Sequence, residues 1–140
     1  MTRWVVDASV AIKWFVPEVH SDAALRLLDG DKVLLAPDLL IPELGNIVWK
    51  KVRRGEMDER TGREVLRAFA LVPLQIHPSR PLLDLAFDVA HGTGTTVYDG
   101  MYVALATTQG CPLATADRKL LDAQRAGPLK ESVVWVENLS

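Results

Sequence analysis

The amino-acid sequence predicts an α/β fold, a three-layer α/β/α sandwich with a central parallel sheet and helices on both faces. Short apolar runs alternate along the chain with longer amphipathic stretches. Strands that are separated by helices pair in parallel, because the helix carries the chain back to the starting edge of the sheet. No internal repeat, linker or low-complexity segment interrupts the 140 residues. We therefore expect one domain over residues 1–140.

Five short apolar runs are the predicted strands. Each is three or four residues long and ends at a proline, an acid or a polar loop; Pro37 closes the second run, for example. Runs this short suit buried strands better than helices. The predicted strands are residues 3–6, 33–36, 74–76, 113–115 and 133–136.

The stretches between the strands have apolar residues at helical spacing. A residue suited to helix capping precedes several of them: Asp38, Asp58 or Thr61, and Asp117. Pro17, Gly30 and Gly55 end the first three predicted helices. Pro42 falls in the early turns of the third helix, where proline is tolerated. The predicted helices are 9–15, 20–28, 38 to about 54, 58 or 61 to 71, 81–91, 99–109 and 117 to about 125, with a loop at 92–96.

Composition narrows the class of protein. The net charge is −2, which argues weakly against nucleic-acid binding by bulk charge, although acids that bind a metal also count as negative in this sum. The single cysteine, Cys111, excludes an internal disulfide and suits a reducing cytosol. Asp7 and Lys13 break the first apolar stretch, so we expect no signal peptide. No apolar run approaches the ~18 residues of a membrane span, so we expect a cytoplasmic protein without membrane contact.

Four acidic residues lie in apolar stretches where a carboxylate is out of place: Asp7, Glu43, Asp99 and Asp117. Burying a carboxylate is costly unless it is paired or binds a metal. Asp7 and Asp117 come just after predicted strands, and ligands of parallel sheets bind beyond the carboxyl ends of strands. If the fold gathers the four acids there, they form an oxygen-rich site for a hard divalent cation.

Helix capping is the alternative for these acids. Taken alone, Asp117 and Asp99 are better explained as N-caps of the helices that follow them. Asp7 is harder to explain in this way, because Ser9 is an equally good cap two residues later. Glu43 is hardest, because it lies beside the apolar stripe of its helix rather than opposite to it. Four such coincidences in one small domain favour a shared site.

The chemistry of that site follows from charge. A phosphodiester is an anion that bare carboxylates repel, and one or two bound cations reverse the sign of the local field. Oxygen ligands favour Mg²⁺ or Mn²⁺ over Zn²⁺. His20, His77 and His91 are scattered without ligand spacing and are interpreted as ordinary surface or loop residues. The acids therefore indicate metal-assisted phosphodiester hydrolysis.

Four segments that contain these acids together resemble the PIN-domain ribonucleases, and within them the VapC-type toxins of prokaryotic toxin–antitoxin pairs. The resemblance spans nearly the whole chain, and it is the ordered set of four that is specific rather than any one motif. The segments are Asp7-Ala8-Ser9, Pro42-Glu43-Leu44-Gly45-Asn46, Tyr98-Asp99-Gly100-Met101-Tyr102-Val103-Ala104-Leu105-Ala106 and Leu113-Ala114-Thr115-Ala116-Asp117-Arg118-Lys119-Leu120.

The resemblance implies roles for individual residues. The four acids would bind the metal and catalyse, and Thr115 would support them through hydrogen bonds. Ser9 and Asn46 would support the acids without binding the metal themselves. Asn46 would do so from the same helix face as Glu43. The resemblance also implies a Mg²⁺ or Mn²⁺ cofactor, RNA cleavage, a homodimer or higher homo-oligomer, and inhibition by a cognate antitoxin protein. Single-stranded or loop RNA is the expected substrate, because its bases are accessible; transfer, ribosomal and messenger RNA all stay open.

Several other side chains have two interpretations. The basic residues at 50–54 either offset the dipole of the helix that they end or contact the RNA backbone. Lys13, Arg118 and Lys119 are candidate substrate contacts of the same kind. Trp14, Phe15 and Trp49 are interpreted as core residues, with an exposed protein-binding surface as the alternative.

Other functions fit parts of the pattern. A phosphatase or phosphotransfer domain of similar architecture needs a second acid after the first strand, and Asp7-Ala8-Ser9 has none. A metal-dependent adhesion module needs a second serine where Ala11 stands. A PIN fold that serves only as a non-catalytic binding module is the remaining alternative, and the presence of all four acids argues against it.

Overall fold

A computed structural model describes residues 1–139, and its centre is a five-stranded parallel sheet. The strand order is β3-β2-β1-β4-β5. All four pairings are parallel, with Trp4 beside Leu34 and Val6 beside Ala114. The strands are β1 (Thr2–Val6), β2 (Lys32–Pro37), β3 (Leu74–His77), β4 (Leu113–Thr115) and β5 (Val133–Trp135).

Helices flank the sheet, and the predicted α/β class is confirmed. Short 3₁₀ turns supplement the helices within the described residues. They are Ile12–Trp14, Arg26–Leu28, Arg80–Leu82, Lys130–Ser132 and Val136–Asn138. Within residues 1–139, the helices are all too short or too polar to cross a membrane. The helices are α1 (Ala8–Ala11), α2 (Ser21–Leu25), α3 (Leu40–Arg53), α4 (Glu59–Ala70), α5 (Leu83–Thr93), α6 (Val97–Gln109) and α7 (Arg118–Arg125).

The direction in which strands are added reverses between β1 and β4. From β1 the chain adds β2 and then β3 on one side, and later adds β4 and β5 on the other. At such a reversal the loops that follow the two central strands diverge to opposite faces of the sheet and leave a crevice at its carboxyl edge. The residues that follow β1 and β4 therefore border this crevice.

Three predictions about helix starts and ends were wrong. Asp38 does not cap α3, because its carboxylate accepts hydrogen bonds from the backbone N–H and the hydroxyl of Ser79, beyond the end of β3. The helix that contains Asp99 begins two residues earlier, at Val97, and its cap is Thr96. Residues 92–93 belong to α5 rather than to a loop. A better-placed partner or cap explains the first two differences, and the third arises because α5 continues to Gly94, whose left-handed backbone (φ 74°) ends it.

Helix α6 is the most deeply buried helix of the fold. All residues from Gly100 to Ala106 are buried, and α6 contacts β1, β2 and β4. Gly100 permits this packing, because a Cβ at that position would lie 2.4 Å from the carbonyl oxygen of Ala86 in α5. The close packing of α5 on α6 fixes the backbone next to Asp99.

We expect Gly100→Ala to destabilise the protein by about 3 kcal/mol, because the two helices must separate to admit the methyl group. The matched control is Gly45→Ala in α3, where an added Cβ has no atom within 4 Å. That variant should gain about 0.5–1 kcal/mol from improved helix propensity. Urea unfolding followed by circular dichroism measures both. Equal stability of the two variants would contradict the packing argument.

Candidate active site

Asp7 lies at the carboxyl end of β1 and is only 5% exposed. Its extended backbone makes it the N-cap of α1, so its Oδ1 accepts the Val10 N–H at 3.1 Å. The Ser9 hydroxyl donates to the same oxygen at 2.6 Å. Ser9 was considered as a rival cap, but the structure makes it a donor to Asp7 instead. The carboxylate is thereby fixed in one orientation at the reversal point of the sheet.

Thr115, the last residue of β4, joins the two central strands through its hydroxyl. It donates to Asp7 Oδ2 at 2.5 Å and accepts the Asp117 N–H at 3.0 Å. The pairing of Val6 with Ala114 places Thr115 beside Asp7. Ser9 extends the network, because its Oγ accepts the Ala116 N–H at 2.9 Å. Asp7, Ser9, Thr115 and Asp117 thus form one hydrogen-bonded cluster.

Asp117 is the N-cap of α7, as its sequence context predicts. Its Oδ1 accepts the N–H groups of Lys119 at 2.9 Å and Leu120 at 3.3 Å. Both cap bonds use one oxygen of the carboxylate. Capping a helix and facing a bound cation are therefore compatible roles for this residue.

Asp99 and Glu43 approach the cluster from two helices. Asp99 lies in the first turn of α6, where its N–H donates to the Thr96 hydroxyl at 3.1 Å, and it is half-buried. Glu43 lies in the first turns of α3, which follows β2, and accepts a hydrogen bond from the Tyr102 hydroxyl. Tyr102 is 2% exposed, so only its tip reaches the site.

Tyr102 is the functional side chain that the sequence reasoning did not select. It lies three residues after Asp99 on α6, and i, i+3 neighbours share a helix face. A tyrosine in an otherwise apolar helix face is a signal, since a buried phenol usually needs a partner for its hydroxyl. The partner, Glu43, is 59 positions away in sequence and could not be identified from spacing.

Burial is the main cause that raises the pKa of Asp7, Glu43 and Asp99. Burial, with a smaller contribution from the nearby Asp117, raises the pKa of Asp7 from 3.8 to about 6, against the three hydrogen bonds that stabilise its charge. Burial, Asp117 and Glu43 raise the pKa of Asp99, and burial raises the pKa of Glu43. Each shift reflects a negative charge that lacks a positive partner. A cation at this position would relieve all of them.

The donor chemistry of the cluster fits a hard divalent cation, because all of its ligand atoms are oxygens. The spacing is wider than that of a closed metal site. Within residues 1–139, no three His, Cys, Asp or Glu side chains are close enough to coordinate one ion together. The four carboxylates therefore interact through their charges, while a gap separates them as ligands.

Three other predicted residues, all within the described part of the chain, take no part in the hydrogen bonds of this cluster. The Lys13 amine pairs with Glu18 at 3.0 Å. The Arg118 guanidinium stacks on the Trp135 ring, 4.0 Å from its centroid. Asn46 is exposed and lines a pocket together with Glu43.

The predicted aromatic core residues divide into two groups. Trp14 is 8% exposed and donates its indole N–H to the Ala24 carbonyl, and Phe15 packs against the core. The core assignment of Trp49 was wrong, because this side chain is 55% exposed with Arg53 over its ring.

Thr115→Val should destabilise the protein by about 1–3 kcal/mol, because it leaves a buried carboxylate with one donor fewer. Valine has nearly the same shape, so packing is preserved. The control is Thr107→Val, where the hydroxyl donates to Val103 of its own helix and the expected change is within about 0.5 kcal/mol. Thermal unfolding at pH 7.5 in EDTA compares the two, and equal losses would contradict a special role for Thr115.

Known proteins match this chain over nearly its whole length. The family model "PIN domain" matches residues 4–126. A relative from Pyrobaculum aerophilum, "Ribonuclease VapC3", is 38% identical over 122 residues, which is 86% of this chain and 93% of that protein. Among solved structures, PAE2754 from the same organism superposes with a TM-score of 0.72 at 29% identity, covering 97% of this chain and 85% of that one.

A second solved structure supports the same fold at lower identity. It is a toxin-antitoxin complex from Klebsiella pneumoniae, with a TM-score of 0.57, 14% identity and coverage of 93% and 94% of the two chains. Three findings support the same family. The order of the five strands reverses beside β1, acids border this reversal, and the family model matches residues 4–126. The resemblance seen in the sequence is confirmed, and this chain belongs to the PIN-domain family.

Proposed function

We propose that this protein is a metal-dependent endoribonuclease of the VapC type that hydrolyses RNA phosphodiester bonds. One observation supports this most: a buried carboxylate, Asp7, is fixed by two hydroxyls and a backbone N–H at the reversal point of a parallel sheet, with three further acids around it. The ribonuclease name of the 38%-identical relative supports the same reaction class.

Asp7, Glu43, Asp99 and Asp117 are the residues that would hold the metal, Mg²⁺ or Mn²⁺. Their separation would suit a cation that does not take every ligand from the protein, as is usual for Mg²⁺. When bound, such an ion supplies an activated water and offsets the charge that develops on the phosphate.

The protein's own side chains orient the acids and accept a proton. The Ser9 and Thr115 hydroxyls hold both oxygens of Asp7, so the carboxylate does not turn away when substrate binds. The Tyr102 hydroxyl holds Glu43 in the same way. Because this hydrogen bond fixes Glu43 beside the other three acids, we assign its carboxylate the proton of the attacking water.

The proposal extends to partners. The overall charge of −2 gives little general attraction for RNA, so binding would depend on the metal and on nearby cations such as Arg118 and Lys119. The structural similarity to a toxin-antitoxin complex supports a cognate antitoxin that inhibits the nuclease. We propose that the protein acts in the cytoplasm as a homodimer or higher homo-oligomer.

Digestion of total cellular RNA by the purified, antitoxin-free protein tests the function. Discrete products are expected with Mg²⁺ or Mn²⁺ and none with EDTA. Asp99→Asn should abolish them, whereas Asp88→Asn, the same change at an exposed position of α5, should not. If folded wild-type protein gives no products with either metal, the nuclease proposal fails in favour of a non-catalytic binding module.

A further inference from the structure

A small pocket lies beside Glu43, between the start of α3 and the start of α6. Its volume is about 230 Å³. Leu39 and Pro42 give it apolar surface, Tyr98 gives it an aromatic ring, and Glu43 and Asn46 supply its polar groups. The pocket is continuous with the candidate active site, because Glu43 belongs to both.

Tyr98 and Asn46 are both available to a ligand. The Tyr98 side chain is 63% exposed although it is large and aromatic. Asn46 is also exposed, and both side chains line the pocket. Tyr98 directly precedes Asp99, and Asn46 lies one helical turn after Glu43. Both residues therefore flank acids that would hold the metal.

We propose that this pocket binds one unpaired nucleobase of the RNA, with Tyr98 as the stacking surface and Asn46 as the group that reads the base edge. This inference rests on the proposed ribonuclease function and deepens it. A nucleobase has flat faces that stack on aromatic rings and a polar edge that pairs with an amide, which both donates and accepts hydrogen bonds. Apolar surface, ring and amide are all present in this one pocket.

The position of the pocket selects the occupant. A base held against Tyr98 lies one residue from Asp99, so the phosphate attached to its nucleotide is placed near the acids. A protein partner would require a broad apolar surface, whereas this pocket is small and ends in a carboxylate and an amide. A pocket of about 230 Å³ suits a single base better than a base pair, which favours single-stranded or loop RNA as the substrate.

Cleavage kinetics on one RNA test the stacking role. The substrate is a single-stranded oligoribonucleotide that spans a cut site found in the total-RNA digest, with Mn²⁺ present. Tyr98→Ala should raise KM about tenfold with kcat changed less than about threefold, and Tyr98→Phe should match the wild type. Phe87→Ala is the control, because Phe87 is 60% exposed but lies outside the pocket.

Abasic substitutions in the same RNA identify the base. Removing the base at one position near the cut should raise the KM of the wild type about tenfold, and the same removal should have no further effect on Tyr98→Ala. A merely structural change at Tyr98 would not make the effect of base removal disappear in Tyr98→Ala.

Asn46→Ala should reduce the preference among the four bases at that position. In this variant, removal of the base should still raise KM, because Tyr98 still stacks on it.

Three results would overturn the inference. If Tyr98→Ala keeps the wild-type KM, or if every abasic loss persists in that variant, the base binds elsewhere while the ribonuclease function stands. If Tyr98→Ala changes the elution volume in size-exclusion chromatography, Tyr98 belongs to a protein interface. If the wild type cleaves no RNA, the proposed function fails and this subsite fails with it.

Discussion

Replacing Asp7 by asparagine should lower the rate of metal-dependent RNA cleavage roughly a thousandfold, equivalent to about 4 kcal/mol of transition-state stabilisation. Asparagine keeps the size of the side chain and an oxygen that can accept the Ser9 and Val10 hydrogen bonds. It removes the charge of the most deeply buried of the four acids. A neutral amide is a much weaker ligand for a hard cation, so positioning of the metal is lost.

Initial rates on a single RNA with Mn²⁺ measure this effect. Asp88→Asn is the matched control, because it makes the same chemical change on the exposed face of α5. Circular dichroism shows whether the folds are equal. A cleavage rate for Asp7→Asn within tenfold of the wild type would contradict the role that we assign to this carboxylate.

The same substitution should make the metal-free protein more stable, by about 3 kcal/mol at pH 7.5. Burial raises the pKa of Asp7 from 3.8 to about 6, so the folded state holds this proton more tightly than the unfolded state. The contribution of Asp7 to stability is therefore most favourable below about pH 4 and declines as the pH rises to about 6. At about 1.4 kcal/mol per pKa unit, the difference is about 3 kcal/mol, and the neutral asparagine avoids it.

Urea unfolding in EDTA at pH 4, 5, 6 and 7.5 tests the stability prediction. The advantage of Asp7→Asn over the wild type should be small at pH 4 and should grow until about pH 6. Adding Mn²⁺ at pH 7.5 should narrow the gap, because the metal binds and stabilises the folded wild type. A gap that does not change with pH, or that favours the wild type in EDTA at pH 7.5, would contradict the burial argument.

Loss of activity together with a gain of stability would identify Asp7 as a residue retained for function. Most substitutions of a buried residue that makes three hydrogen bonds destabilise a protein. The opposite sign arises here because the charge lacks a positive partner until a cation binds. Surface acids such as Asp88 have no comparable penalty.

The sequence predicted the sheet well because its signals are local. The run 113–115 was predicted as a strand with the bounds that the structure has, and the placement of Asp7 and Asp117 after strands followed from apolar runs that end at those residues. Parallel pairing then brings the ends of β1 and β4 together, since Val6 pairs with Ala114. That β1 and β4 are neighbours in the sheet is long-range information, and the local pattern did not predict it.

The parts that sequence reasoning missed depend on partners far away along the chain. Asp38 has the local features of a helix cap, but Ser79, 41 positions later, binds its carboxylate. The hydrogen bond from Tyr102 to Glu43 spans 59 positions. Trp49 has a large apolar ring, yet the apolar stripe of α3 that faces the core is formed by other residues of the helix. Such outcomes are decided by tertiary packing rather than by local propensity.

Direct titration with Mn²⁺ tests whether the four acids together form a divalent-metal site. Electron paramagnetic resonance reports free Mn²⁺ as the wild type and the variants Asp7→Asn, Glu43→Gln, Asp99→Asn and Asp117→Asn are titrated, with Asp88→Asn as the control. We expect saturable binding by the wild type and the control, and weaker binding by each of the four variants. Binding of equal strength in all six proteins would contradict it.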